Sequence, residues 1–184
     1  MIVSIHQPNF MPWYPFFKKV EQADIFVILS HCQYEKGGYQ NRFNLDNRWY
    51  TMGVDKKTKC IADKKYNNCE SDWESIKRRL QEYECKLNDF DSCIQKSLMH
   101  TNIEIIRKIC NTLNIKTKIV YDEETNLKGT DRLIEICKNY KAKTYIAGPS
   151  GKNYLDEKLF EKSDMKIIYQ SQKKVDQIPI LKVL

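Results

Sequence analysis

The chain has 184 residues, 41% of them hydrophobic, which is enough for one sizeable core and short for two, so a single domain over residues 1–184 is expected. Its formal charge of +7 favours anionic partners such as phosphates, nucleotides, nucleic acid or headgroups without choosing among them. No run approaches the roughly 20 apolar residues of a membrane span and no signal-peptide pattern opens the chain, so no membrane insertion and a cytoplasmic setting are expected.

In chain order, residues 2–5 form an apolar run before a Pro-containing turn and predict a buried strand. Residues 16–23 have helical spacing, with Phe16, Phe17 and Val20 on one face, and residues 24–29 predict a second buried strand. Strand, helix and strand make a βαβ unit, which places the turn at residues 6–13 at the carboxyl end of a parallel strand, where open α/β sheets bind ligands. Residues 33–54 carry Gly37-Gly38, several aromatics and an alternating stretch over 48–54, the pattern of a hairpin or a long functional loop. Residues 56–68 are polar and basic and predict a mobile connection.

Ser71 with Glu74 three places on predicts a helix start, after which Ile76, Leu80, Tyr83 and Leu87 keep helical spacing. One or two further helices are expected before Asn114, giving a helical insertion at about 71–114. Strands are expected over 118–121, 144–147 and 165–169, a helix from Thr130 and a short one over 156–162. The alternation predicts a three-layer α/β fold, a mostly parallel sheet flanked by helices with a β-hairpin insertion and an inserted helical segment.

Three constellations carry candidate chemistry. The first is His6, Gln7 and Asn9 with Trp13 close behind: an imidazole that can move a proton, amides that offer donors and acceptors, and prolines that fix the backbone. The bland alternative is a His bonded to a carbonyl under the helix and a core Trp. The second is Gln33, Lys36, Gln40, Asn41 and Arg42 after the second strand, a mix suited to a phosphate or carboxylate, with Tyr34 or Tyr39 as a stacking face. The third joins Thr130 and Arg132 at a helix start to Gly148, Pro149, Ser150, Gly151, Lys152 and Tyr154 after a strand. It fits neither nucleotide-binding glycine fingerprint, and a capped helix with a tight strand exit would explain it equally. All three lie on one rim of a parallel sheet, and that convergence points to one pocket for an anionic, hydroxylated ligand.

Seven cysteines with no C-x-x-C pair match neither a disulfide framework nor a zinc site. Reduced thiols are therefore expected, and three histidines give no metal-ligand spacing. The cofactor and any metal requirement are not legible in the sequence.

The stretches His6-Gln7-Pro8-Asn9-Phe10-Met11-Pro12-Trp13, Gln40-Asn41-Arg42, Thr130-Asp131-Arg132-Leu133 and Gly148-Pro149-Ser150-Gly151-Lys152-Asn153-Tyr154-Leu155-Asp156 resemble the WbqC-like family of bacteria. The likeness also takes in Asp72-Trp73 and residues 115–120, and so runs over nearly the whole chain in order. It implies surface-polysaccharide or O-antigen biosynthesis and an acyl or aminoacyl (glycyl-type) transferase acting on the amino group of a nucleotide-activated amino sugar. His6 would then be the general base, nearby amides would hold the oxyanion, and Lys36, Arg42, Arg132 and Lys152 would hold phosphates or a carboxylate. The sequence departs from that pattern where Ser30-His31 replace two aspartates, where Leu87-Asn88-Asp89 replace Lys-Ala-Pro, and at Leu184, where relatives continue. His31 is either a substitute proton carrier or a solvent-facing residue.

Two other readings compete. A strand followed by a His-containing turn also suits a nucleotidyltransferase or adenylate-forming enzyme binding ATP. A non-catalytic module reading glycan or nucleic acid is opposed by the dispersed lysines, although an aminoacyl-tRNA donor would give the positive charge a reason. The acyl donor, the sugar and the oligomeric state are not legible in the sequence.

Overall fold

A computed structural model describes residues 1–171 and 178–184. The elements run β1 (Ile2–His6), α1 (Tyr14–Glu21), β2 (Ile25–Ile28), β3 (Arg42–Leu45), β4 (Arg48–Thr51), α2 (Cys69–Arg79), α3 (Glu84–Asn88), α4 (Leu98–Thr112), β5 (Lys118–Tyr121), α5 (Gly129–Asn139), β6 (Thr144–Ala147), α6 (Glu157–Lys162) and β7 (Lys166–Tyr169). β1, β2, β5, β6 and β7 form one parallel sheet in the order β5-β2-β1-β6-β7. The chain works outward from β1 through β2 to β5, then returns to the other side of β1 for β6 and β7. The reversal between β1 and β6 is the point in an open parallel sheet where loops at the strand ends part and leave a crevice.

Period-two alternation assigns the two faces. On β2, Phe26 and Ile28 join a core built with Phe16, Phe17 and Val20 of α1 and Ile103 and Ile106 of α4. Ile25 and Val27 face the other way, with Val3 and Ile5 of β1, into a core closed by Leu133 and Cys137 of α5 and Phe160 of α6. Helices therefore cover both faces, as the sequence pattern predicts, and the helical segment lies between β4 and β5.

The small hairpin β3–β4 is antiparallel, and its turn is Asp46-Asn47, both at positive φ (50° and 62°), rather than Gly37-Gly38. Two left-handed residues in a two-residue loop match the twist of the flanking strands, and Asp and Asn tolerate that conformation better than most residues.

Three expectations are corrected. Residues 56–68 are anchored rather than a free connection. Ile61 and Tyr66 are buried, Tyr66 donates to Asn102 Oδ1 at 3.1 Å, and bridges join Gln33 to Cys60, Val54 to Tyr66 and Lys65 to Ser97. The average polarity of the stretch conceals these two apolar anchors. Helix α2 starts two residues before Ser71, and the Asp72 carboxylate accepts from the Gly53 backbone N–H at 2.6 Å instead of serving the helix start. The spacing from Ile76 to Leu87 is not one helix: Leu80 leaves helical geometry (φ −122°, ψ 43°), and a short 3-10 turn separates α2 from α3.

Among the described residues no helix is long and apolar enough to cross a membrane. All seven cysteines are free thiols, with Cys93, Cys110 and Cys137 buried.

Candidate functional site

A cavity of about 1630 Å³ opens at the carboxyl end of the sheet and takes its wall from the segments after β1, β2 and β6 and from the start of α5. Of the residues singled out in the sequence it gathers His6, Gln7, Asn9, Trp13, Gln33, Gln40, Arg132, Gly148, Pro149, Ser150 and Tyr154. Lys36, Asn41, Arg42, Thr130, Gly151 and Lys152 are not part of this wall.

Those six have other partners or positions. Arg42 donates from Nε to the Gly38 carbonyl at 3.1 Å and from Nη2 to that of Gly37, and its guanidinium lies 4.0 Å over the Trp49 ring. It closes the glycine loop on itself. Asn41 donates to the Met52 carbonyl at 2.6 Å and accepts from the Tyr34 hydroxyl, which ties the loop to the segment after β4. The Thr130 hydroxyl accepts from Asp156 N–H at 3.1 Å, and Lys152 sits 5.4 Å over Tyr169. Gly151 is the small residue that close packing requires, since a Cβ there would lie 3.0 Å from Leu155 and 3.1 Å from Ala147. Lys36 is exposed.

His6 is the last residue of β1, in register with Ile28, rather than part of the turn. Its Nδ1 lies 2.9 Å from the Gln7 carbonyl, so the ring proton sits there and Nε2 keeps its lone pair, while the ring edge meets Phe16 at 5.0 Å. Burial, and then the nearby Lys19, push its pKa down to about 3. The imidazole is neutral at neutral pH and a weak base. The turn that follows is held by Gln7, whose amide donates to Cys32 Sγ at 3.3 Å and accepts from Gln40 at 2.5 Å, and by Asn102, which donates to the carbonyls of Pro8 and Gln40. Met11, buried and at φ 44°, occupies the left-handed region immediately before a proline, a sparsely populated conformation kept by the packing around it.

Sequence reasoning missed the partner of the second histidine. Asp122 follows β5, and its fully buried carboxylate accepts from Ser30 N–H and Oγ–H at 2.8 Å, from His31 N–H at 3.2 Å and from Arg132 Nη2. His31 Nδ1 is 3.2 Å from the same carboxylate, which fixes the proton on Nδ1 and leaves Nε2 as the free nitrogen of a side chain on the cavity wall. Arg132 also donates from Nη1 to the His31 carbonyl at 2.6 Å, so it holds this corner together and is not free for a phosphate. An acid directly after a predicted strand, on the rim already suspected, was the available signal.

Among the described residues the wall carries Lys18, Lys19, Lys59, Lys128 and Arg132 against one acid, Glu35, with Lys18 paired to Glu21 at 3.0 Å and Arg132 to Asp122. Opposite in character is an aromatic run in which Trp13 meets Tyr39 edge-on at 4.6 Å and Tyr39 meets Trp49 at 5.5 Å; Tyr39 and Trp49 are partly exposed. Among the described residues no group of three or more His, Cys, Asp or Glu side chains is placed to hold a metal ion.

A five-stranded parallel sheet of this order, covered by helices on both faces and with a histidine-bearing crevice at its switch point, defines a three-layer α/β fold. The chain belongs to the WbqC-like protein family, whose model matches residues 7–179. A Mycobacterium tuberculosis protein described as uncharacterized protein Rv1507c is 26% identical over 186 residues, covering 91% of this chain and 80% of its own. A zinc-bound AdcAII variant of Streptococcus pneumoniae is 11% identical and covers 92% of this chain and 87% of its own at a TM-score of 0.23, too weak a likeness to carry any argument.

Proposed function

We propose that the cavity binds a nucleotide-linked amino sugar and an acyl or aminoacyl donor and transfers the acyl group to the sugar amine, as a step in surface-polysaccharide biosynthesis. The observation that carries this reading is the His31–Asp122 pair on the wall of a basic cavity. The volume of about 1630 Å³ exceeds the roughly 300–1,000 Å³ of a one-ligand pocket, which suits two substrates together. The surplus of lysines suits a diphosphate, and Trp13, Tyr39 and Trp49 suit the flat face of a base or sugar.

In this reading the proton-taking role passes from His6 to His31. The amine attacks the acyl carbonyl; His31 Nε2 takes the proton that the nitrogen loses and returns it to the leaving group as the tetrahedral intermediate collapses. Asp122 stabilises the imidazolium formed in between. His6, neutral and already donating to the Gln7 carbonyl, offers Nε2 as an acceptor for a substrate hydroxyl or ammonium hydrogen. The amides of Asn9 and Gln33 on the wall are candidates for the oxyanion.

The test mixes the protein with a nucleotide-linked amino sugar and either an acyl-coenzyme A or an aminoacyl-tRNA, and follows the sugar nucleotide by mass. A gain of one acyl group, lost in H31N with binding retained, supports the reading. A second reading, nucleotidyl transfer on ATP, is favoured by the sheet order with His6 at the switch point. Pyrophosphate exchange into ATP, with no acylated sugar, would replace the first reading by the second.

A further inference from the structure

Lys19 takes no part in the proton transfer assigned to His31. It lies on the apolar stripe of α1 and is 2% exposed, yet it lines the cavity. Its Nζ donates to the Ile5 carbonyl oxygen at 2.9 Å, and among the described residues no carboxylate lies within 4.0 Å of it. An ammonium has three donors, so its hydrogen-bonding capacity exceeds what the fold uses. Titratable groups reach the same cavity from α1 (Tyr14, Lys18), β1 (His6), β6 (Tyr145) and β7 (Tyr169), and none of these is an acid. Past β2 stand His31 and Glu35, and at α5 stand Lys128 and Arg132. Burial without a counter-ion pushes the lysine down to about 7, and His6 beside it is held neutral as well.

We propose that Lys19 Nζ anchors a phosphate of a nucleoside diphosphate at the carboxyl end of β1, and that binding draws a proton onto it. The inference rests on the cavity being the ligand site, not on acyl transfer taking place there. A phosphate oxygen within hydrogen-bond reach supplies the opposite charge that the fold withholds, and in a water-poor cavity that interaction favours the ammonium strongly. Lys59 and Lys128 on the same wall add to the field that holds a second phosphate. Because the empty site near neutral pH shares Lys19 between its neutral and charged forms, occupancy and proton uptake are linked, and affinity falls as pH rises above neutrality. A lysine that only satisfies the Ile5 carbonyl would show neither effect.

The experiment is calorimetry on the full chain at pH 8 in buffers of different ionisation enthalpy, with uridine diphosphate as probe and uncharged uridine beside it. Wild type takes up protons with the diphosphate but not with uridine. K19M binds the diphosphate at least about tenfold more weakly without proton uptake and binds uridine unchanged, whereas K19R restores diphosphate affinity. Carbon NMR of the lysine side chains needs no variant: one resonance titrating near neutrality moves upward when the diphosphate is added. The proposal is overturned if the diphosphate does not bind, binds without proton uptake, or binds K19M as tightly as wild type, or if every lysine titrates at its ordinary value. Intact diphosphate binding without acylated product would overturn only the transfer reading.

Discussion

His31 Nδ1 lies 3.2 Å from a carboxylate 91 residues further along the chain, that of Asp122, whose side chain has no exposed surface. The same carboxylate anchors Ser30 and pairs with Arg132, so one buried acid orients the histidine and joins the ends of β2 and β5 to α5. Removing the acid and removing the histidine should therefore differ. D122A leaves Arg132 buried without its counter-charge and should cost about 3–5 kcal/mol in urea denaturation. H31N should shift stability by no more than about 0.5 kcal/mol while turnover drops roughly 100-fold or more. Equal loss of stability in the two variants would remove His31 from the chemistry.

Stability should depend on pH through two depressed groups. His6 is held at about 3 against 6.5, by burial first and Lys19 second, so between those values the unfolded chain binds a proton that the native chain refuses. Its contribution is complete above 6.5 and is lost as pH falls towards 3. Lys19, at about 7 against 10.5 because of burial, acts likewise: stability rises between 7 and 10.5. Urea midpoints across pH should show H6N with a flatter acid limb and K19M with a flatter alkaline limb, and unchanged slopes would contradict the burial of these groups.

Arg42 should behave as a brace and not as a ligand contact. Its two hydrogen bonds to the glycine loop and its stacking on Trp49 predict that R42A costs about 1–2 kcal/mol. The salt dependence of diphosphate binding should keep its wild-type slope. A slope reduced by about one charge would restore Arg42 as a phosphate contact.

Tryptophan fluorescence should report occupancy of the cavity. Trp49 and Trp13 lie on the aromatic run of the wall, whereas Trp73 is buried and donates to Asp91 Oδ1 at 2.7 Å. Binding of a sugar nucleotide should change the emission; W49F should remove much of that change and W73F little of it. The reverse ranking would place the ligand elsewhere.

The two glycines that bracket Pro149-Ser150 should respond differently to alanine. G151A forces a methyl against Leu155, Ala147 and Tyr169 and should destabilise by about 1 kcal/mol or more. At Gly148 a Cβ meets nothing within 4 Å, so G148A should leave stability unchanged, and any effect should appear in ligand affinity at the cavity wall.

The parallel strands and most of their helices were legible because apolar runs and 3.6-residue spacing are local properties: β5 and β6 fall where the residues put them. The site was half legible. His6 lines the cavity as the last residue of β1, and Gln7, Asn9 and Trp13 line it because they follow directly on that strand end, which an apolar run alone can locate. Arg42, Lys152 and Thr130 looked equally suited to a ligand, but their nearest partners are carbonyls, an aromatic ring and a backbone amide that no local pattern reveals.

The sequence by itself determined the alternation of strands and helices, the positive charge and the family, since each is written in residue identities over short spans or in ordered motifs. Only the tertiary structure decided that Asp122 meets His31, that Lys19 sits buried with no acid in reach among the described residues, and that β1 and β6 are neighbours. Those are long-range relations set by sheet order and burial, and a charged side chain has no fixed chemistry until its distance from water and from the opposite charge is set.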